Sequence, residues 1–150
     1  MKLLYPFAKR FIAGPDLKTA IPNIRKIKES GYFASIDILG ESVSTRQQAE
    51  TAKMEYLKLF ESLDSINHSF DFSIKLSQLG LGIDREFCAE NLQQLARAMG
   101  NHTIRLDMEG SAYTQSTLEI CEEAHRTHPH IGQAIQAYLF RSKNDVRHCI

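Results

Sequence analysis

The chain has 150 residues, 43% of them hydrophobic, and its 18 basic residues equal its 18 acidic residues in number. These values fit one globular domain with a packed core, and the neutral net charge gives no electrostatic signature of nucleic-acid binding. Every apolar run is shorter than the roughly 18–20 residues that a membrane helix needs. We therefore expect a cytoplasmic protein that does not bind nucleic acid, with peripheral contact at the inner membrane as the alternative location.

Cysteine and histidine spacing offers no metal site. Cys88, Cys121 and Cys149 are odd in number and widely spaced, which fits neither a disulfide framework nor a zinc ligand pair. We interpret them as reduced cysteines that are mostly packing residues. The stretch HRTHPH at 125–130 is the one histidine cluster, and we interpret it as a solvated loop between a helix and a strand.

Short apolar segments alternate with segments that have helical spacing. Each apolar segment has the length and composition of a buried parallel strand. The predicted strands are 12–14, 33–39, 71–77, 103–108 and 133–139.

Two of the intervening helices have clear boundary signals. The helix over 85–99 has Asp84 as its predicted N-cap and Gly100 directly after its end. The helix before it begins near Ser44 or Thr45.

The remaining helices have weaker boundaries. The first closes at Gly31, and Thr114 is the predicted N-cap of a helix over 115–127. Ser142 begins a short polar segment. Strands and helices that alternate in this way predict parallel β-α-β units in one domain, residues 1–150.

The number of strands leaves two α/β architectures open. Five strands do not close an eight-stranded barrel, which typically needs about 200 residues or more. The sheet is therefore either open and doubly wound, or part of a larger barrel. A dinucleotide-binding fold lacks its main support, because no G-x-G-x-x-G motif follows any predicted strand.

Each of four predicted strands contains one isolated polar residue: Asp37, Lys75, Asp107 and Gln136. Burying such a group without a partner costs roughly 2–7 kcal/mol. Because these residues recur at the same stage of successive β-α units, we expect them to converge on one site at the strand ends.

The type of each polar residue suggests a partner. Lys75 needs an anion, which a ligand carboxylate or the neighbouring Asp37 or Asp107 would supply. Gln136 can donate and accept hydrogen bonds, as binding of a flat heterocycle requires. A structural ion pair and a core amide are the alternatives. Glu41 and Glu109 follow their strands, and we interpret both as solvated loop residues.

Five segments together resemble the proline dehydrogenase family: FIAG, SIDILGES, IKLSQLGLGID, IRLDMEGSAYT and IQAYLFRS. The resemblance runs from about Phe11 to about Asp145. It implies a partial (βα)8 TIM-type barrel of about five parallel β-α units. It also implies FAD as cofactor, oxidation of L-proline to 1-pyrroline-5-carboxylate, and a membrane quinone as electron acceptor.

The resemblance assigns roles residue by residue. Lys75 is similar to the family's substrate-contacting lysine, and Asp107 to its active-site aspartate; we expect both to be catalytic residues. Met108 lies where the backbone contacts the flavin, and Gln136 matches a glutamine that hydrogen-bonds the flavin ring. Asp37 is similar to a further strand aspartate. In the family an acidic residue usually follows the Asp-Met-Glu motif, where this chain has Gly110.

The chain stops before two further elements that the family carries. These are a strand whose arginine and lysine help bind the flavin, and a helix whose paired arginines hold the proline carboxylate. We therefore expect an incomplete part of the enzyme that associates with a companion C-terminal half through its open strand edge and barrel interior. Alone, it should bind FAD weakly and turn over proline hardly at all.

Three other functions stay open at this point. The first is a non-catalytic remnant or binding module of the same barrel. The second is a small open α/β enzyme in which Lys75 forms a Schiff base. The third is a purely structural interaction protein, although no coiled-coil heptad supports it.

Overall fold

The computed structural model describes residues 12–40, 42–64, 66 and 68–150. Phe11 and Glu41, both named above, lie outside these ranges. Within them the chain forms one parallel sheet in the order β1-β2-β3-β4. Its strands are β1 (Ser35–Asp37), β2 (Asp71–Ile74), β3 (Thr103–Leu106) and β4 (Ile131–Gln133).

Helices connect the strands, as the alternating pattern predicts. They are α1 (Leu17–Glu29), α2 (Arg46–Asp64), α3 (Arg85–Ala98), α4 (Thr114–His125) and α5 (Ser142–Cys149). None of the helices in the described ranges is long and apolar enough to cross a bilayer.

Local signals fix several helix ends where the sequence predicts them. The Asp84 side chain accepts a hydrogen bond from the Phe87 N–H at 3.1 Å and so caps α3. Gly31 and Gly100 follow α1 and α3 with φ of +84° and +60°. Only glycine adopts this left-handed conformation readily, so both residues end their helices as expected.

Register places one row of apolar residues on the helix-covered side of the sheet. Phe72 lies beside Ile36 on β1 and Ile104 on β3, and Ile104 lies beside Ile131 on β4. From α2, Phe60 packs on Phe72 with ring centroids 4.6 Å apart. Full burial of such a side chain contributes about 1.5–3 kcal/mol, so this row is the centre of the core.

The opposite side of the sheet carries polar residues, because side chains alternate along a strand. We call this side the polar face. Its residues are Ser35, Asp37, Asp71, Ser73, Lys75, Thr103, Arg105 and Asp107.

The prediction that a first strand ends at residues 12–14 is wrong for these three residues, and the part of that strand before Ile12 lies outside the described residues. Ile12, Ala13 and Gly14 form no strand in the structure. The carbonyl oxygen of Ala13 instead accepts a hydrogen bond from the Asn23 side chain at 2.7 Å. This contact joins the segment to α1 and not to a neighbouring strand.

The other strands are shorter than predicted, and β4 is also shifted, because it spans Ile131–Gln133 and shares only Gln133 with the predicted strand 133–139. The chain turns where the carboxyl ends of β2 and β4 leave the sheet. After β2 the Gln78 N–H donates to the Lys75 carbonyl at 3.0 Å, and after β4 the Leu139 N–H donates to the Gln136 carbonyl at 3.3 Å. Lys75 and Gln136 therefore lie beyond their strands, and Asp107 directly follows β3.

Two helix predictions need correction. Thr114 is the first residue of α4 and is buried, while Tyr113 occupies the N-cap without a side-chain hydrogen bond. The polar segment that begins at Ser142 is the helix α5. Arg141 precedes it, and its Nε donates to both carboxylate oxygens of Asp145, at 3.0 and 2.8 Å, which stabilises the first turn.

Candidate active site

Three of the predicted site residues meet at the carboxyl edge of the sheet. The Lys75 Nζ lies 2.9 Å from Oδ2 of Asp37 and 3.2 Å from Oδ2 of Asp107. Their side chains are 27%, 31% and 30% exposed respectively. The predicted pairing of Lys75 with carboxylates from both neighbouring units is therefore confirmed, and the edge stays open to solvent.

The carboxylates keep Lys75 protonated. Burial lowers the pKa of Lys75, but the hydrogen bonds that its ammonium donates to Asp37 and Asp107 outweigh burial and raise this pKa above its usual value. A Schiff-base lysine must react as the neutral amine, so this environment opposes that role. Asp37, Lys75 and Asp107 together have a formal charge of −1, and Glu109 adds a further negative charge at this edge.

Asp107 is held through both of its carboxylate oxygens. Oδ2 faces the Lys75 ammonium, and Oδ1 accepts a hydrogen bond from the Ser73 hydroxyl. Ser73 lies two residues before Lys75 and therefore on the same face of the sheet. One serine within a strand is not a distinctive sequence signal, so the contact of Ser73 with Asp107 is found only in the structure.

Glu109 is held by two hydrogen bonds, so its interpretation as a solvated loop residue is wrong. Its Oε2 accepts from the Ser77 N–H at 2.9 Å, and its Oε1 accepts from the Ser77 hydroxyl. The register that pairs Asp71 with Thr103 also brings position 77 opposite position 109. A sequence-based signal therefore existed: Ser77 follows Lys75 by two residues, as Glu109 follows Asp107.

A buried amide supports the turn after β1. Gln78 donates from Nε2 to the Ile38 carbonyl at 3.1 Å and accepts at Oε1 from the Tyr56 hydroxyl at 3.4 Å. Burial raises the pKa of Tyr56 strongly, and the negative charge of Asp37 adds to this, so its hydroxyl remains a donor. The turn that follows Asp37 is thus anchored by Gln78 from the turn after β2, and Gln78 is in turn held by Tyr56 of α2.

The two residues assigned to the flavin are also neighbours. The side-chain Nε2 of Gln136 donates to the Met108 backbone carbonyl at 3.3 Å, and the backbone carbonyl of Gln136 accepts from the Ser142 hydroxyl. Met108 directly follows Asp107. Lys75, Asp107, Met108 and Gln136 therefore form one continuous set of contacts across three β-α units.

These residues are suited to one edge of a flavin ring. An amide side chain and adjacent backbone groups can serve the alternating donors and acceptors of such a ring. The nearby Arg141 is already bound to Asp145 and, at 2.7 Å, to Gln115. The amide and backbone groups of Gln136 and Met108 thus fit the ring edge, whereas Arg141 is occupied by Asp145 and Gln115.

A second polar network lies at the opposite, amino end of the polar face. Arg105 pairs with Asp71 at 2.9 Å, and Asp71 also accepts from the Ser35 and Thr103 hydroxyls. These residues line a cavity of about 360 Å³. The cavity is also lined by Phe33, Ala34 and Phe70, so this end of the sheet combines charged and apolar groups. The expected association with a companion half stays a prediction.

Comparison with known proteins agrees with this arrangement. The sequence model described as "Proline dehydrogenase" matches residues 20–150. The chain is 29% identical over 141 residues to proline dehydrogenase 2 of Bacillus subtilis (strain 168), which covers 93% of this chain and 46% of the relative. It is 29% identical over 154 residues to proline dehydrogenase of Deinococcus radiodurans, which covers 95% of this chain and 48% of the relative.

A solved structure supports the fold. The chain superposes with a TM-score of 0.83 and 23% identity on proline utilization A (PutA) from Bdellovibrio bacteriovorus inactivated by N-propargylglycine. This match covers 98% of the chain and 19% of that protein, and it confirms the predicted partial α/β barrel. The chain spans about half the length of the curated relatives it matches. It belongs to the proline dehydrogenase family.

Proposed function

We propose that this chain supplies one side of the substrate and flavin site of an enzyme that oxidises L-proline to 1-pyrroline-5-carboxylate. FAD is the cofactor, and a membrane quinone accepts the electrons. The observation that carries the proposal is the Lys75 ammonium, held between Asp37 and Asp107 next to Met108 and Gln136. Family membership supplies the reaction class.

Lys75 has a donor left for substrate. An ammonium has three N–H donors, and two of them face Asp37 and Asp107. The third is available to a carboxylate oxygen of proline. Because the pKa of Lys75 is raised, this group stays charged at neutral pH and binds the substrate instead of acting as a base.

The carboxylates complement the other end of the substrate. Proline carries a secondary ammonium, and the formal charge of −1 from Asp37, Lys75 and Asp107 attracts it. Holding the ring in one orientation can lower the barrier to reaction by about 7–11 kcal/mol at best. The chemistry that bound FAD would supply is acceptance of a hydride from the carbon beside the ring nitrogen, once that nitrogen has released its extra proton to solvent at the open edge.

The remaining β-α units of a barrel would complete this site. The described sheet has parallel edges at β1 and β4, and a partner segment or companion C-terminal half would pair with both edges. That half would also add the cations for the flavin diphosphate and the proline carboxylate. The 150-residue chain alone should therefore bind FAD weakly and react slowly.

Anaerobic bleaching of bound FAD by L-proline tests the proposal. The absorbance should be followed for the chain alone and for the chain co-expressed with the C-terminal barrel half of a family member. Lys75→Met and Asp107→Asn should each abolish or strongly slow the bleaching in the complemented protein. Asp71→Asn is the matched control, because it alters a paired carboxylate at the opposite end of the same face.

Three outcomes separate the alternatives. Proline-dependent bleaching that requires Lys75 and Asp107 but not Asp71 supports the proposal. FAD binding without bleaching favours a non-catalytic binding module. Absence of FAD binding in a complemented, cooperatively folded protein overturns the assignment.

A further inference from the structure

We infer that Ser73 is a positioning residue that fixes the Asp107 carboxylate against the Lys75 ammonium. Its effect on substrate rests on the proposed function, but its effect on Lys75 does not. No role for this serine follows from the motifs considered above. The inference comes from the contacts on the polar face.

The strand register places Ser73 at the centre of the site. It lies directly beside Asp37 on β1 and Arg105 on β3. Its hydroxyl reaches past the end of β3 to Oδ1 of Asp107. Lys75, two residues later on the same face, contacts Oδ2 of the same carboxylate at 3.2 Å.

This arrangement restrains the carboxylate about its last rotatable bond. An ionised carboxylate only accepts hydrogen bonds, so in this contact the Ser73 hydroxyl is always the donor and the Asp107 carboxylate is always the acceptor. With Oδ1 held by Ser73, Oδ2 has to face the ammonium of Lys75. Without the hydroxyl, the carboxylate can rotate about this broad torsion and the Lys75 contact weakens.

The backbone around Ser73 is itself held in place. Its carbonyl oxygen accepts a hydrogen bond from the buried Tyr56 hydroxyl at 3.2 Å, and β2 is paired on both sides. The Ser73 hydroxyl therefore projects from a fixed position. A donor on such a support can orient a partner more strongly than one on a loop.

Ser35 provides a matched control on the same face. Its hydroxyl donates to Oδ2 of Asp71 at 2.8 Å, so it makes the same kind of contact at the opposite end of the sheet. Ser35→Ala therefore also removes one hydroxyl that donates a hydrogen bond to an aspartate. Any general loss of polar contacts would appear in both variants, whereas a positioning effect on Lys75 belongs to Ser73 alone.

NMR of the isotope-labelled lysine ammonium groups tests the inference in the full chain. The Lys75 signal is assigned by its loss in Lys75→Arg, and exchange of its protons with water is measured at neutral pH. We expect Ser73→Ala to speed this exchange and to lower the pKa of Lys75, because the paired carboxylate is no longer fixed. Ser73→Thr, which keeps the hydroxyl, should restore both values, and Ser35→Ala should leave them unchanged.

Unchanged Lys75 exchange in a Ser73→Ala variant that melts like the parent chain overturns the inference. An equal change in Ser35→Ala also overturns it. If Ser73→Ala does not fold, Ser73→Cys, which keeps the size but weakens the donor, takes its place with the same expected direction.

A second readout addresses the proposed function separately. In the complemented enzyme, Ser73→Ala should raise KM for proline by about tenfold or less with a smaller effect on kcat, since tenfold corresponds to loss of one good contact. A Lys75 effect without any proline reaction supports the positioning role and contradicts the proposed function. Proline turnover by the complemented enzyme, together with a Lys75 signal that Ser73→Ala leaves unchanged, supports the proposed function and contradicts the positioning role of Ser73.

Discussion

Asn91 of α3 holds the buried ammonium of Lys53 from α2, with Oδ1 of Asn91 3.0 Å from Nζ of Lys53. The amide nitrogen of Asn91 also donates to the Leu79 carbonyl at 3.0 Å. One side chain therefore joins α2, α3 and the turn after β2, which carries Ser77 and Gln78. The Lys53 ammonium also forms an ion pair with Glu50, whose Oε2 lies 2.6 Å from Nζ.

Replacing Asn91 by leucine should therefore destabilise the chain. Asn91→Leu removes the amide acceptor of Lys53 and leaves the Leu79 carbonyl unpaired, which costs about 1–3 kcal/mol. Chemical denaturation measures the change in the free energy of unfolding. Gln94→Leu, at an exposed position of the same helix, should change this free energy by less than about 0.5 kcal/mol. Equal effects of the two substitutions would contradict the role of Asn91.

His102 predicts a loss of stability in mild acid. Its Nδ1 accepts the Phe70 N–H at 3.2 Å, so the proton is assigned to Nε2, which lies 4.0 Å from Asp64. Burial lowers the pKa of His102, and Asp64 opposes this only in part. The stability contributed by neutral His102 is complete above its unfolded pKa of about 6.5 and falls as the pH drops below that value.

The pH dependence should disappear when His102 cannot titrate. We expect the free energy of unfolding to decrease between about pH 6.5 and 5, with a slope of at most about 1.4 kcal/mol per pH unit from this residue. His102→Gln should flatten that part of the curve. His130→Gln, at an exposed position of the loop, is the control and should keep the slope of the parent chain. A flattened curve in the control alone would refute the assignment.

Gly40 predicts a steric effect on the turn after β1. A Cβ atom at this position would collide with the side-chain amide of Gln78, which holds the Ile38 carbonyl. Gly40→Ala should displace this amide and cost about 1–3 kcal/mol in the free energy of unfolding. Gly110→Ala is the control, because a Cβ there meets nothing within 4 Å. Thermal and chemical melts of both variants provide the measurement.

The Tyr56 hydroxyl should contribute to the free energy of unfolding independently of the packing of its ring. Tyr56→Phe keeps the packing of the buried ring but removes the donor to the Ser73 carbonyl and to Gln78. We expect a loss of about 1–2 kcal/mol in the free energy of unfolding. The control is Tyr32→Phe, since Tyr32 is 69% exposed. A loss of the same size in the control would mean that the buried hydroxyl contributes nothing specific.

The sequence by itself determines the local features of this fold. Apolar segments that alternate with helical spacing predict the parallel β-α units. Asp84, Gly31 and Gly100 mark helix ends through contacts within a few residues of themselves. Such features depend on backbone conformation near one position, which residue type controls directly.

Convergence of the site was also predictable, because it follows from topology. The carboxyl ends of parallel strands lie at one edge, so polar residues at equivalent stages must approach each other. Lys75 between Asp37 and Asp107 fulfils this expectation. The family resemblance adds the reaction class, which residue spacing alone left open.

Tertiary structure alone decided where each strand ends and which side chains hold the charged ones. Ser73 contacts Asp107, Ser77 contacts Glu109 and Gln78 contacts Ile38, over separations of 34, 32 and 40 residues. Whether such distant groups meet depends on strand register and on the turn after each strand. A shift of one residue would send the same side chains to the opposite face, so their partners emerge only when the sheet has formed.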